Sequence, residues 1–146
     1  MLKYLSIGIC SFILFFSSFI QANNNQNFAV IVNASNNQKI DKKLIKNIAS
    51  DIIATWENGE SIKLYLPRVK SATRRSFTLD VLGMSAKQDA MNWENKKITN
   101  TLNGKMPKYL RDKVILKMVA KYPNALGVVS PELIKDNPNV KVVYSN

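Results

Sequence analysis

Ile62-Lys63-Leu64-Tyr65-Leu66-Pro67-Arg68-Val69-Lys70-Ser71-Ala72-Thr73-Arg74-Arg75-Ser76-Phe77 carries the change of period on which the fold turns. Ile62, Leu64 and Leu66 alternate with Lys63 and Tyr65, the pattern of a strand with one face buried, and Pro67 ends it. Ser71 then opens a helix through Leu82 in which Phe77, Leu79, Val81 and Leu82 are apolar, with Gly83 beyond its end as a C-cap. Such a strand-to-helix junction is a place where an anion binds. The first N–H groups of a helix have no internal partner and lie at the positive end of its dipole. Ser71 and Thr73 add hydroxyl donors, while Arg68 and Arg74 have the fork geometry that clamps oxygens in pairs. The same residue types also serve as an ordinary N-cap with surface charges.

Outward from that junction, strands and helices alternate. Phe28 to Val32 is a β-branched run of strand length, stopped by Asn33 and a polar cluster. Asp41 caps a helix in which Leu44, Ile45, Ile48, Ile52 and Ile53 recur at helical spacing. Asn58-Gly59 marks a turn before the opening strand of the quoted segment. After Gly83, Ser85 and Gln88 fit a capping box, and Ala90, Met91, Trp93 and Ile98 supply an apolar face. Asn100 to Lys108 reads as loop. Asp112 caps a helix carrying Val114, Ile115, Met118, Val119 and Tyr122, which Pro123 terminates. Ala125 to Val129 is a short apolar strand, Pro131 to Lys135 one helical turn, and Val140 to Tyr144 a last strand. The order implies an α/β domain whose mixed or largely parallel sheet is flanked by helices.

The first 22 residues read as a cleavable signal peptide: Lys3, an apolar run from Leu5 to Ile20, and a small residue at Ala22. That run is shorter than the roughly 20 residues a spanning helix needs, so no stable membrane insertion is expected after cleavage. Cys10 lies inside the run and follows Ile9, an unsuitable context for a lipid anchor. The expected organisation is therefore signal peptide 1–22, polar tether 23–27 and one domain over 28–146, in a periplasmic or secreted protein.

The formal charge is +11, from 21 basic and 10 acidic residues. It favours anionic partners at long range. Nucleic acid is not among the expected ones, because the lysines are spread over every segment and the expected address is outside the cytoplasm. Cys10 is the only cysteine and there is no histidine. A domain beginning after Ala22 thus has no disulfide, no thiolate nucleophile and no imidazole base. We expect no cofactor, no metal site and no enzyme.

Ser71-Ala72-Thr73-Arg74 followed by Phe77, then Val81-Leu82-Gly83, resembles the Ser-Gly-Thr-Arg-x-x-Phe signature of the phosphate-binding proteins of bacterial ABC importers. Other pieces fall in the same order. Val30-Ile31-Val32-Asn33 with Ser35-Asn36 resembles the family's opening strand and turn, and Trp56 with Gly59 its Trp-x-x-Gly turn. Ser85 to Trp93 is similar to its helix ending in Tyr-Trp, and Pro123-Asn124-Ala125-Leu126-Gly127-Val128 to its Pro-Gly-Ala-Ile-Gly-Tyr strand. The resemblance implies a single lobe of a type 2 periplasmic binding protein-like fold. It also implies phosphate or a similar oxyanion held by Ser71, Thr73 and helix amides, with Arg74 as a charged clamp and Arg68 close enough to help. A membrane transporter or sensor is the implied protein partner. Ala72 stands where the family has glycine, and Lys70 lies where transporter-linked members carry an acidic residue that selects hydrogen phosphate over sulfate. The alternative reading is an accessory module that keeps the fold without a small-molecule ligand.

Overall fold

The computed structural model describes residues 27–146, so the expected signal peptide and all but the last residue of the expected tether lie outside the described residues. Five strands form one mixed sheet: β1 (Ala29–Asn33), β2 (Lys63–Pro67), β3 (Lys108–Leu110), β4 (Ala125–Val129) and β5 (Val140–Ser145). Their order is β3-β2-β4-β1-β5. β2 runs parallel to β3 and β4, with Leu64 opposite Leu126 and Tyr65 opposite Lys108. β1 runs antiparallel to β4, with Val30 opposite Val128, and antiparallel to β5. The Val30-Ile31-Val32 and Leu126-Gly127-Val128 segments are thus neighbours in one sheet.

Helices cover both faces, which is why the central strands β1 and β4, and β2 after Lys63, are buried throughout. Against one face lie α1 (Lys42–Ala49), α2 (Ala72–Phe77) and α3 (Ala86–Ile98), where Val30, Val32, Leu64, Leu66 and Leu126 meet Ile45, Ile48, Phe77 and Trp93. Against the other lies α4 (Asp112–Lys121), whose Ile115 and Val119 pack on Ile31, Tyr65, Ala125 and Val129. Phe28 joins the first cluster edge-to-face with Phe77, ring centroids 5.5 Å apart. Burial of this kind is the dominant favourable term for a chain without disulfides.

Several local expectations change in the folded chain. β2 is buried on both faces rather than one: Tyr65 is 2% exposed, because α4 covers the side that alternation assigns to water. Pro67 lies within the strand. The Asp41 cap is present, its carboxylate accepting from the Leu44 amide at 2.8 Å. The helix nevertheless stops at Ala49, with Asp51 in the left-handed region at φ 59°, so Ile52 points outward and is exposed. Helix α2 continues as a π-helical turn, Thr78–Leu82, before Gly83 caps it in the left-handed region at φ 67°. The wider turn leaves Leu79 exposed while Thr78, Val81 and Leu82 face inward. On α3 the buried face is Ala86, Asp89 and Trp93, and Met91 and Ile98 are exposed.

The π turn also positions Asp80, which accepts from Tyr144 at 2.8 Å and pairs with Lys42 at 3.0 Å, tying α1 to β5. Burial pushes its carboxyl up, but the hydrogen bonds from Tyr144 and Lys42 outweigh it and hold it below the ordinary value of 3.8. A carboxyl depressed in the folded state adds stability above its unfolded value, and that contribution is lost as pH falls through the folded one. Tyr144→Phe should therefore move the acid-unfolding midpoint, followed by circular dichroism, to higher pH. An unchanged midpoint would mean that the hydroxyl contributes nothing to the depression.

Candidate functional site

Because β2, β3 and β4 are parallel and β1 runs against them, the carboxyl ends of three strands and the start of the fourth meet at one edge of the sheet. Ligands of open α/β sheets bind at such an edge. Here the edge holds a recess of about 650 Å³ lined by Asn27 before β1, Ala72 and Thr73 after β2, Asp112 after β3, and Ser130 to Leu133 after β4.

Ser71 is the N-cap of α2, its hydroxyl oxygen accepting from the Arg74 amide at 3.1 Å. Its own N–H donates to the Arg68 carbonyl at 2.8 Å, which folds Arg68 to Lys70 into a tight turn with the Arg68 side chain exposed. Among the described residues the amides of Ala72 and Thr73 have no hydrogen-bond partner, as the first turn of a helix leaves them. With the π turn, helical backbone runs on without a break to Leu82. Thr73 is nearly buried, and its hydroxyl donates to Asp112 Oδ2 at 3.1 Å. The same oxygen accepts from the Ser130 amide at 2.8 Å.

Asp112 therefore does not cap α4 with its side chain. Arg111 holds the N-cap position and makes no side-chain cap bond, and the Asp112 carboxylate turns into the recess. Asp112 Oδ2 is fully used and Oδ1 has no donor among the described residues. Sequence reading missed this role because β3, the strand that delivers Asp112, is three residues long and too short to show a period. Glu132 also lines the recess, so two carboxylates stand where basic residues were expected.

Arg74 is not an open clamp. It is 0% exposed: one guanidinium nitrogen donates to the Pro67 carbonyl at 3.1 Å, and the other pairs with Asp89 of α3. The guanidinium carbon lies 5.0 Å from the centre of the Tyr109 ring. The helical phase explains the burial, because Arg74 shares the inward face of α2 with Phe77 and Thr78. A charge at that position links the start of α2 to α3, and substituting it tests the fold rather than a ligand. Of the four expected site residues, Thr73 lines the recess, Ser71 caps the helix one residue before the lining begins, Arg68 is exposed in the preceding turn, and Arg74 is inside. Among the described residues no group of His, Cys, Asp and Glu side chains is placed to hold a metal, and no helix is long and apolar enough to cross a membrane.

No protein-family model and no curated protein sequence matches this chain. Solved structures do. A possible phosphate binding protein from Planctomyces limnophilus DSM 3776 matches with a TM-score of 0.60 at 17% identity, over 80% of this chain and 40% of that one. An ABC-type phosphate transport receptor from Vibrio cholerae matches with a TM-score of 0.57 at 16% identity, over 80% and 45%. A putative phosphate ABC transporter substrate-binding protein with bound phosphate, from Clostridium perfringens, matches with a TM-score of 0.54 at 20% identity, over 80% and 44%. The chain thus spans less than half the length of the structures it matches. The described residues share the fold of part of these structures, an α/β unit with a mixed sheet flanked by helices, as the sequence motifs imply.

Proposed function

We propose that this is an exported solute-binding-like protein whose recess takes an oxyanion that still carries a proton, with hydrogen phosphate the simplest such species. The observation that carries the reading is the pairing of opposite needs in one recess. The Ala72 and Thr73 amides offer unused donors, and Asp112 Oδ1 offers an unused acceptor. An anion with both acceptor oxygens and one O–H satisfies both, whereas fully ionised sulfate faces the carboxylate with no proton to share. The exposed Arg68 and the Ser71 hydroxyl complete the donor side. Arg74 serves by holding the start of α2 in place.

The recess is open, so a lone phosphate buries little of its surface and binds weakly. A second wall supplied by another polypeptide, such as a membrane transporter or sensor component, would complete the enclosure. A second reading, an accessory module without a small ligand, is favoured by one observation: the Thr73 hydroxyl and the Ser130 amide are already satisfied by Asp112.

Isothermal titration with phosphate and sulfate separates the two readings. On the solute-binding reading phosphate binds saturably and sulfate does not, and Ser71→Ala weakens phosphate. Asp112→Asn should improve sulfate binding by roughly tenfold or more, since it removes a full charge next to the anion. Silence with both anions in both proteins would favour the accessory module.

A further inference from the structure

At the opposite end of β2 lies a separate cavity of about 230 Å³. It exists because β3 pairs only with Tyr65 to Pro67, so Ile62 to Leu64 has no strand neighbour on that side. We propose that this cavity binds a small organic anion with an apolar body, of the class of an aromatic carboxylate.

The floor supplies the apolar part: Ile62, Leu64, Met106 and Met118 line it. The methionines suit a ligand of irregular outline because their side chains adapt. Three lysines, Lys63, Lys105 and Lys108, also line the cavity, and no Asp or Glu does. Lys63 is held at the mouth by the Tyr122 ring, its Nζ 3.7 Å from the ring centre. An apolar floor with cations and no carboxylate is complementary to an amphiphilic anion rather than to a cation or a neutral sugar.

Tyr65 adds a hydrogen-bond donor to the lining. It lines the cavity, and its hydroxyl keeps contact with solvent and makes no hydrogen bond to any described residue, so it is free to donate to a ligand. Burial, with a smaller contribution from Tyr122, pushes the phenol above its ordinary value of 10. It therefore stays protonated and donates. A carboxylate entering between the lysines accepts from that hydroxyl, while the ring behind it rests on the methionines. At about 30 Å³ per water the volume equals roughly eight waters, which suits a single-ring ligand.

The test is titration of the isotopically labelled protein with benzoate, followed by amide NMR, with benzamide as the uncharged analogue of the same shape. Benzoate should give saturable shifts at Leu64, Tyr65 and Met106 and bind several-fold more tightly than benzamide. Tyr65→Phe, which keeps the packing, should weaken benzoate roughly tenfold, the usual worth of one hydrogen bond to a charged group. Lys108→Gln should weaken it and reduce its salt dependence. Equal binding of benzoate and benzamide would overturn the proposal. So would undiminished benzoate binding by a Tyr65→Phe protein whose spectrum is otherwise unchanged, or shifts confined to Thr73 and Ser130. Phosphate titration reads the other recess, so failure of either site leaves the other measurable.

Discussion

Arg74→Met should lower the free energy of unfolding by about 3–5 kcal/mol in urea denaturation, because it strands the Asp89 carboxylate inside the domain. The pair is almost wholly out of water, and the guanidinium also serves the Pro67 carbonyl, so one change leaves two acceptors unmet. Asp89→Leu added to Arg74→Met should recover most of the loss, as replacement of a whole buried pair by apolar groups usually does. The pH dependence separates this mechanism from lost packing. Burial already pushes the Asp89 carboxyl above its ordinary 3.8, with Arg74 opposing through its charge and hydrogen bond. A carboxyl raised in the folded state contributes its stability in full below the unfolded value and loses it as pH rises through the folded one. Without Arg74 the rise is greater, so the deficit of Arg74→Met should be larger at pH 7 than at pH 4. A deficit independent of pH would assign it to volume alone.

Gly127→Ala is the second large effect. The residue sits in β4 under α4, and a Cβ there would lie 2.6 Å from Ile115 Cγ2 and 2.7 Å from Val119 Cγ2. Both contacts are methyls on β-branched side chains, which cannot swing aside in a helix. Helix α4 must move off the sheet or the strand must bend, at a cost of about 1–3 kcal/mol. Thermal unfolding should show a lowered midpoint, and Val119→Ala in the same chain should return part of it by removing one of the two methyls. If Gly127→Ala unfolds at the temperature of the parent protein, α4 is less tightly seated than its contacts with β4 imply.

The strand runs of Phe28 to Val32 and Ala125 to Val129 were legible in the sequence because continuous β-branched and apolar residues leave few alternatives. The motif order around Ser71 was legible too, and with it the class of fold. The interior charges were not. Asp89 lies among Lys87, Gln88 and Asn92, a composition that reads as solvated helix, and only the tertiary approach of Arg74 makes its position intelligible. Tyr65 alternates with leucines as an outward residue should, and becomes internal because a helix arrives from a later part of the chain. The same holds for Asp112: its local sequence describes a helix cap, while its partners Thr73 and Ser130 come from other strands' ends. Local pattern thus marked the strand-to-helix junction at Ser71 and Thr73, and long-range packing decided which charged side chains lie around it.

The order of strands sets the pace at which the domain can assemble. β1 hydrogen-bonds only to β4 and β5, whose residues are separated from it by all four helices. Closing that pairing means closing nearly the longest loop the described chain permits, and topologies dominated by such distant contacts fold slowly. Until Ala125 to Ser145 arrive, Val30, Ile31 and Val32 have neither ladder partners nor a complete cover. A bare, β-branched strand is a template for pairing with another chain. For this protein the hazard of self-association therefore belongs to the unfinished chain, and it ends when β4 and β5 enclose β1 between them.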